Sequence, residues 1–342
     1  MPGRKHLLQL ALLLLPLTAR AQTAAQDSRI LSKSRALDIE AVDLAAEDID
    51  GDGGPELILA GKDAVQAYSM KDGDLRLLSH YKDSATAVQF LSVDAADLDS
   101  DGRAEVFVSQ NNRFFERLES FVLVLDSGSL VRTASLPWLV RRFHDAGGVS
   151  LAAQQVLADS SFPFSSIRRL GFSQGRYVQS GSPLQVKRLD WLYGFALSRR
   201  DRDPVALLTN AAQRIRVQSR KEAWTSRESY GQTANRARWQ EKTLLFHPRL
   251  VTAEGPQGLQ GVYVLRAIPR FGVLAESQGL YARSELHHLR FNGSALEPAW
   301  TVELPGYAPG LAELPGGPGR EAALLVAVVS AEGKTSVWTV RR

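Results

Sequence analysis

Two acidic loops, 49 residues apart, hold the side chains best suited to chemistry in this chain. The first reads Asp48-Ile49-Asp50-Gly51-Asp52-Gly53-Gly54-Pro55-Glu56, and the second reads Asp97-Leu98-Asp99-Ser100-Asp101-Gly102-Arg103-Ala104-Glu105. Each has carboxylates at positions 1, 3, 5 and 9 and a glycine at position 6. Carboxylates at alternate positions of a tight loop converge on a hard cation, and calcium accepts several such oxygens in a flexible shell. The expected ligands are Asp48, Asp50, Asp52 and Glu56, then Asp97, Asp99, Asp101 and Glu105. Backbone carbonyls of Gly54 and Arg103, at position 7, would complete the two shells. The loops are not EF-hands: that motif sits between helices with a bidentate Glu at position 12, where this chain has Leu59 and Val108. The competing reading is an acidic surface turn that merely mimics the pattern.

Strands must position these loops. The first runs directly into Leu57-Ile58-Leu59-Ala60 and the second into Val106-Phe107-Val108-Ser109. From about residue 37 the chain reads as short β-prone runs broken by Gly, Asp, Ser and Pro. Hairpin signals recur at 70–75, 126–130 and 291–296. The best helical candidate, 211–220, fits an arginine-studded strand equally well. Further blade openings are read at 148–157, 193–197, 249–252 and 308–312, with the acidic loop eroded in the last three. Units of about 45–60 residues with four strands each predict an all-β chain folded as a β-propeller. Six blades fit best; a seventh requires residues 22–38 and the C-terminus to build it together. The strand near 30–35 is expected to pair with the last blade, since an open ring leaves unpaired edges.

The acidic loops and the strands after them resemble FG-GAP or VCBS-type repeats, the blade unit shared with integrin α-subunit propellers. That match covers about 45–110, and the remainder resembles the family through degenerate repeats. The stretch from Gln154 through Phe164, Gly175 and Tyr177 to Tyr193-Gly194-Phe195 is similar to the later blades of bacterial exported proteins of this type. The resemblance implies calcium at the first two loops and a non-enzymatic role.

The first 21 residues read as a secretory signal: basic Arg4 and Lys5, an apolar core over 7–17, then Ala19-Arg20-Ala21 at the cleavage site. Eleven apolar residues are too few to span a bilayer, which needs about 20. Cysteine is absent, which excludes disulfides, thiolate metal sites and a lipid-anchored cysteine. The formal charge of +4 includes Arg4, Lys5 and Arg20, so the processed chain carries about +1 and gives nucleic-acid binding little support.

Other motifs have plainer readings. Gly171-Phe172-Ser173-Gln174-Gly175 matches a hydrolase nucleophile elbow, but a short strand and a turn follow it where a helix is needed. It reads as a β-turn. His287 and His288 are adjacent in a strand and point to opposite faces. The arginine-rich stretch 214–242, with Trp224, Tyr230 and Trp239, reads as a long polar loop inserted in one blade. As a long loop on a rigid scaffold, it is the candidate for partner binding. Asn292-Gly293-Ser294 is a glycosylation sequon that matters only in a eukaryotic secretory pathway.

The sequence thus predicts an exported, periplasmic or extracellular, calcium-binding propeller with no membrane span. It would bind a protein or a surface polymer, and not nucleic acid. The rivals are a polysaccharide lyase or hydrolase working in the propeller channel, and a structural subunit of an envelope complex.

Overall fold

The computed structural model describes residues 28–342 apart from 71–73, 86, 116, 146–147, 158–163, 221–222, 271 and 318–320. The stretch 1–21, expected from the sequence to be a secretory signal, and the centre of the 70–75 hairpin lie outside the described residues. A first strand, β1 (Ile30–Lys33), stands apart in sequence from those that follow. Blade one is β2 (Asp43–Glu47), β3 (Glu56–Ala60), β4 (Ala64–Ser69) and β5 (Arg76–Lys82). Blade two is β6 (Val88–Ala96), β7 (Glu105–Asn112), β8 (Arg117–Asp126) and β9 (Ser129–Leu136). Blade three is β10 (Leu139–Asp145), β11 (Gly148–Gln154), β12 (Arg168–Ser173) and β13 (Arg176–Ser180). Blade four is β14 (Phe195–Arg200), β15 (Asp203–Thr209), β16 (Ile215–Gln218) and β17 (Ala223–Thr225). A hairpin outside the blades, β18 (Arg236–Trp239) with β19 (Lys242–Leu245), comes next.

Blade five is β20 (Val251–Gly255), β21 (Gly258–Pro269), β22 (Tyr281–Phe291) and β23 (Leu296–Leu304), with the seven-residue helix α1 (Gly272–Gln278) between its middle strands. Blade six is β24 (Tyr307–Leu314), β25 (Ala323–Val329) and β26 (Thr335–Arg341). Its fourth strand is β1, which pairs antiparallel with β26 through Ile30 and Val340. The inner strands pack in the closed order β2, β6, β10, β14, β20, β24 and back to β2. This is a six-bladed ring, and the six-blade reading of the sequence holds.

The apolar runs after the acidic loops follow from this geometry. The second strand of a blade lies between two neighbouring blades, so both of its faces are buried. Alternate residues of β25 point to opposite sides: Ala323, Leu325, Ala327 and Val329 pack towards blade one, and Leu324, Val326 and Val328 towards blade five. In β3, Leu57 and Leu59 face blade six while Ile58 and Ala60 face blade two. Each blade interface has its own buried cluster, and the one between blades three and four also takes in the β18–β19 hairpin.

Two local expectations are corrected. Blade three opens at β10, not at 148–157, because Leu139, Val140 and Phe143 form the buried inner strand and β11 is its partner. The stretch 214–242 is not a solvent loop. Its first part supplies β16 and β17, settling the helix-or-strand ambiguity at 211–220 in favour of a strand. The second part turns inward. Gln232, Thr233, Asn235, Ala237 and Trp239 are all buried. Asn235 donates to the Leu91 carbonyl, Ala234 N–H donates to the Tyr307 hydroxyl (2.8 Å), and Gln89 donates to the Arg236 carbonyl (3.3 Å). Residues 226–250 therefore plug the axis near the starts of the inner strands. Apolar side chains every second residue in the hairpin, which reads as polar overall, make this possible.

Four charges occupy the axis itself. Arg141 of β10 lies 2.8 Å from Asp43 of β2 and 3.6 Å from Asp94 of β6. Arg249, just before β20, reaches Asp94 at 2.8 Å and Asp43 at 3.8 Å. It also donates to the Leu44 carbonyl at 2.7 Å. Breaking a buried pair leaves an uncompensated charge, which costs about 3–5 kcal/mol. Arg141→Met is expected to lower unfolding stability by about that amount, read as a lower midpoint in urea with an unchanged slope. A loss below about 1 kcal/mol would show the network to be dispensable.

Candidate metal centre

Both acidic loops join the inner strand of a blade to its second strand, and they share one backbone pattern. Positions 4 and 6 are left-handed in each: Gly51 (φ 80°) and Gly53 (φ 83°), Ser100 (φ 64°) and Gly102 (φ 89°). Glycine reaches this region at little cost, so Gly51, Gly53 and Gly102 suit the turn, whereas Ser100 must be held there by its bonds. The Asp48 carboxylate accepts from Gly51 N–H (2.7 Å) and Gly53 N–H (2.8 Å), and Asp97 accepts from Ser100 N–H (2.7 Å) and Gly102 N–H (3.0 Å). Asp50 accepts from Asp52 N–H, and Asp99 from Asp101 N–H. Position 9 closes each loop: Glu56 accepts from Ile49 N–H (3.1 Å) and Glu105 from Leu98 N–H (2.8 Å).

This folding gathers carboxylates. Oxygens of Asp48, Asp50 and Glu56 lie within 4.8 Å of one another, as do those of Asp97, Asp99 and Asp101. Ligands around calcium at about 2.3–2.6 Å stand at comparable mutual separations, so the donor set suits a hard divalent cation. Asp52 and Glu105 fall outside these two gatherings. Asp52 accepts from Gly54 N–H (2.9 Å), and Glu105 takes the Tyr177 hydroxyl of β13 at 2.9 Å. Burial pushes the Glu56 carboxyl up to about 7, and the charges of Asp50, Asp52 and Asp48 add to this, against the Ile49 N–H. Glu105 is also raised by burial, against the bonds from Leu98 and Tyr177. Asp101 is lowered, first by the Arg103 N–H and then by its guanidinium at 3.0 Å.

The two loops touch. Ala104 N–H donates to the Asp48 carbonyl at 2.7 Å, and a Cβ at Gly51 would meet Arg103 Cγ at 2.9 Å. Arg103 therefore has a structural part beyond its position-7 carbonyl: its stem covers the first loop while its guanidinium pairs with Asp101 of the second. Sequence reading missed this coupling and missed Tyr177, because contacts across 72 residues leave no local signal. It also missed the axial acids. A readable sign existed, since Val42-Asp43 and Val93-Asp94 place an acid inside an apolar run just before each loop.

The remaining motifs take structural places. Ser173, Gln174 and Gly175 form the β12–β13 hairpin turn, with Gln174 and Gly175 left-handed. His287 is buried, 2.9 Å from Glu285 and 3.1 Å from the Thr301 hydroxyl, while His288 stacks on Tyr263 with ring centroids 4.6 Å apart. His247 donates from Nδ1–H to the Gly231 carbonyl (2.8 Å), and burial lowers its pKa. Among the described residues no helix is long and apolar enough to cross a membrane.

Comparison with known proteins adds a family for one region. A family model described as an FG-GAP-like repeat matches residues 48–108, which takes in both acidic loops and the strand after each. No curated protein matches the chain. Among solved structures, the crystal structure of BBS1N in complex with ARL6DN, soaked with lead, aligns with a TM-score of 0.42 and 9% identity, over 92% of this chain and 97% of that chain.

The raised Glu56 pKa has a definite sign for stability. In chelator, folded Glu56 holds a proton at pH values where an unfolded glutamate, near 4.5, has lost it. Its stabilising contribution is full below that value and is lost as pH rises towards about 7. Chelated protein is expected to lose stability across this window, and Glu56→Gln to flatten the loss, leaving the part due to Glu105. Urea midpoints measured in chelator across the window check this; an identical slope in the variant contradicts it.

Proposed function

We propose that this chain is an exported, calcium-stabilised β-propeller that binds a protein or a surface polymer and performs no catalysis. The observation that carries the calcium reading is the pair of loops with one backbone pattern, each converging three carboxylates within 4.8 Å. Like charges so placed repel until a cation neutralises them. Asp48, Asp50, Asp52 and Glu56 would hold one ion, and Asp97, Asp99, Asp101 and Glu105 a second, with the carbonyls of Gly54 and Arg103 at position 7. When bound, calcium supplies charge neutralisation and ties each inner strand to its neighbour. The contact between Ala104 and Asp48 would transmit either ion's effect to the other loop.

The channel chemistry supports a binding role over the lyase or hydrolase alternative. The axis is filled by the buried Asp43, Asp94 and Arg141 together with the partly buried Arg249, mutually paired, and one end is plugged by residues 226–250. At the other end His144 meets Glu313 at 2.6 Å and Arg142 meets Glu47, bridging different blades. These side chains spend their polar atoms on one another. The FG-GAP-like match supports an interaction module, and the signal-like N-terminus supports export. A permanent place in an envelope complex differs from this reading only in how long the partner stays.

A ligand that binds only the folded state adds about 2.7 kcal/mol per site at a hundred times its Kd. For a chain of this size that corresponds to roughly 4 °C in Tm per site. Chelator is expected to lower Tm, and Asp50→Ala and Asp99→Ala each to remove part of the calcium response, read by calorimetry with matched magnesium and calcium titrations. A melt indifferent to calcium and to chelator would remove the metal from this account.

A further inference from the structure

The loop after the inner strand has changed character in blade four. Where blades one and two gather carboxylates, the β14–β15 turn is Asp201-Arg202-Asp203-Pro204, preceded by Arg199 and Arg200. Beside it run residues 183–188, which follow blade three's outer strand. Between them lies an open groove of about 770 Å³. Its floor is aliphatic, built from Leu184, Val186, Leu197, Pro204, Val205 and Ala206. The rim is cationic: Lys187, Arg199, Arg202 and Arg220.

Among the described residues the acids nearby offset only part of this rim. Asp145 is paired with Arg169, and Asp203 stands 3.7 Å from Arg220 with both side chains largely in solvent. Asp201 is the third acid. Among the described residues Lys187, Arg199 and Arg202 have no ion pair. A concave, mainly apolar site with a few convergent charged groups is the usual form of a ligand pocket, and this volume lies within the common range.

The geometry points to a docking site for an extended acidic segment of a protein partner, with Leu, Ile or Val side chains on the floor and Asp or Glu at the rim. This deepens the binding role proposed above and rests on it. Charge complementarity sets the sign of the partner, since unpaired cations favour an anionic segment and repel a basic one. The floor selects a peptide over an anionic polysaccharide. Sugar rings lie against aromatic faces, and among the described residues no Phe, Tyr, Trp or His ring lines this groove. Aliphatic side chains fit aliphatic side chains. Two anchoring chemistries side by side would also fix the register of the bound segment, apolar positions alternating with acidic ones along an extended chain.

Selection of a phage-displayed random peptide library on the full chain in calcium tests this. Enriched peptides are expected to combine two or more acids with aliphatic residues. Synthetic versions should lose affinity about tenfold or more, equivalent to about 1.4 kcal/mol, against the double variant Lys187→Glu, Arg202→Glu. Val186→Asp should weaken them similarly through the floor, and both variants, being at the surface or half-buried, are checked for an unchanged Tm. Polygalacturonate, as an anionic polymer without aliphatic groups, should displace them poorly. Selected peptides that ignore both variants would leave a general binding role standing and remove this groove from it. Failure to enrich acidic peptides, or full displacement by polygalacturonate with Val186→Asp silent, would also overturn the assignment, while the calcium-dependent melt remains an independent measure of the fold's metal sites.

Discussion

The buried pairing of Asp43 and Asp94 with Arg141 and Arg249 is the constraint on which the ring depends. These four residues come from blades one, two, three and the entry to blade five, and they meet on the axis that the inner strands share. Burial pushes Asp94 up, while Arg249 and Arg141 pull it down. Removing four charges from water is costly, and mutual attraction offsets that cost only when all four are seated. Such a network contributes less to net stability than its short distances suggest. Its effect is selective: a blade rotated out of register would strand a charge in an apolar interior.

Around this centre the chain divides its polar work by position. Donors of Arg249 satisfy carbonyls of Leu44, Val93 and Leu311, so inner strands of three blades are tied through one side chain. At one end of the axis the segment 226–250 donates from Asn235 to the Leu91 carbonyl and from Ala234 N–H to the Tyr307 hydroxyl, and accepts from Gln89 at the Arg236 carbonyl. The acidic loops lie away from this plug, at the outer ends of β2 and β6. They are the places where like charge accumulates, and Arg103 and Tyr177 relieve the second of them. Burial is the first cause of the rise at Glu56 and at Glu105, while Arg103 lowers Asp101.

Much of this architecture was legible because it is periodic. The acidic pattern recurs with a following apolar run, and that run is continuous since each second strand is covered on both faces. Turns such as Ser127-Gly128 and Asn292-Gly293 declare themselves by residue type. What escaped sequence reading was non-local. The inner strand of blade three has no acidic loop after it to mark its end, so β11 was mistaken for the opening strand. The plug was mistaken for a solvent loop because Arg236, Arg238 and Lys242 dominate its composition, whereas Ala237, Trp239 and Leu244 decide its direction. The grouping of Asp48, Asp50 and Glu56 was anticipated from spacing alone, but the hydroxyl of Tyr177 on Glu105 was invisible without the ring that brings blade three against blade two.

The closing strand has a temporal consequence. Ile30 pairs with Val340, so the last blade is completed by residues from both ends of the chain. At about 5–20 residues per second, β1 leaves the ribosome on the order of 15–60 s before its partner exists. Throughout that interval blades one to five can assemble locally while β1 remains an unpaired strand, and the ring locks only when β26 arrives. Loop closure over such a span is slow. A nascent chain of this design therefore completes its fold as a single late event, and loss of either β1 or β26 would act on the same step.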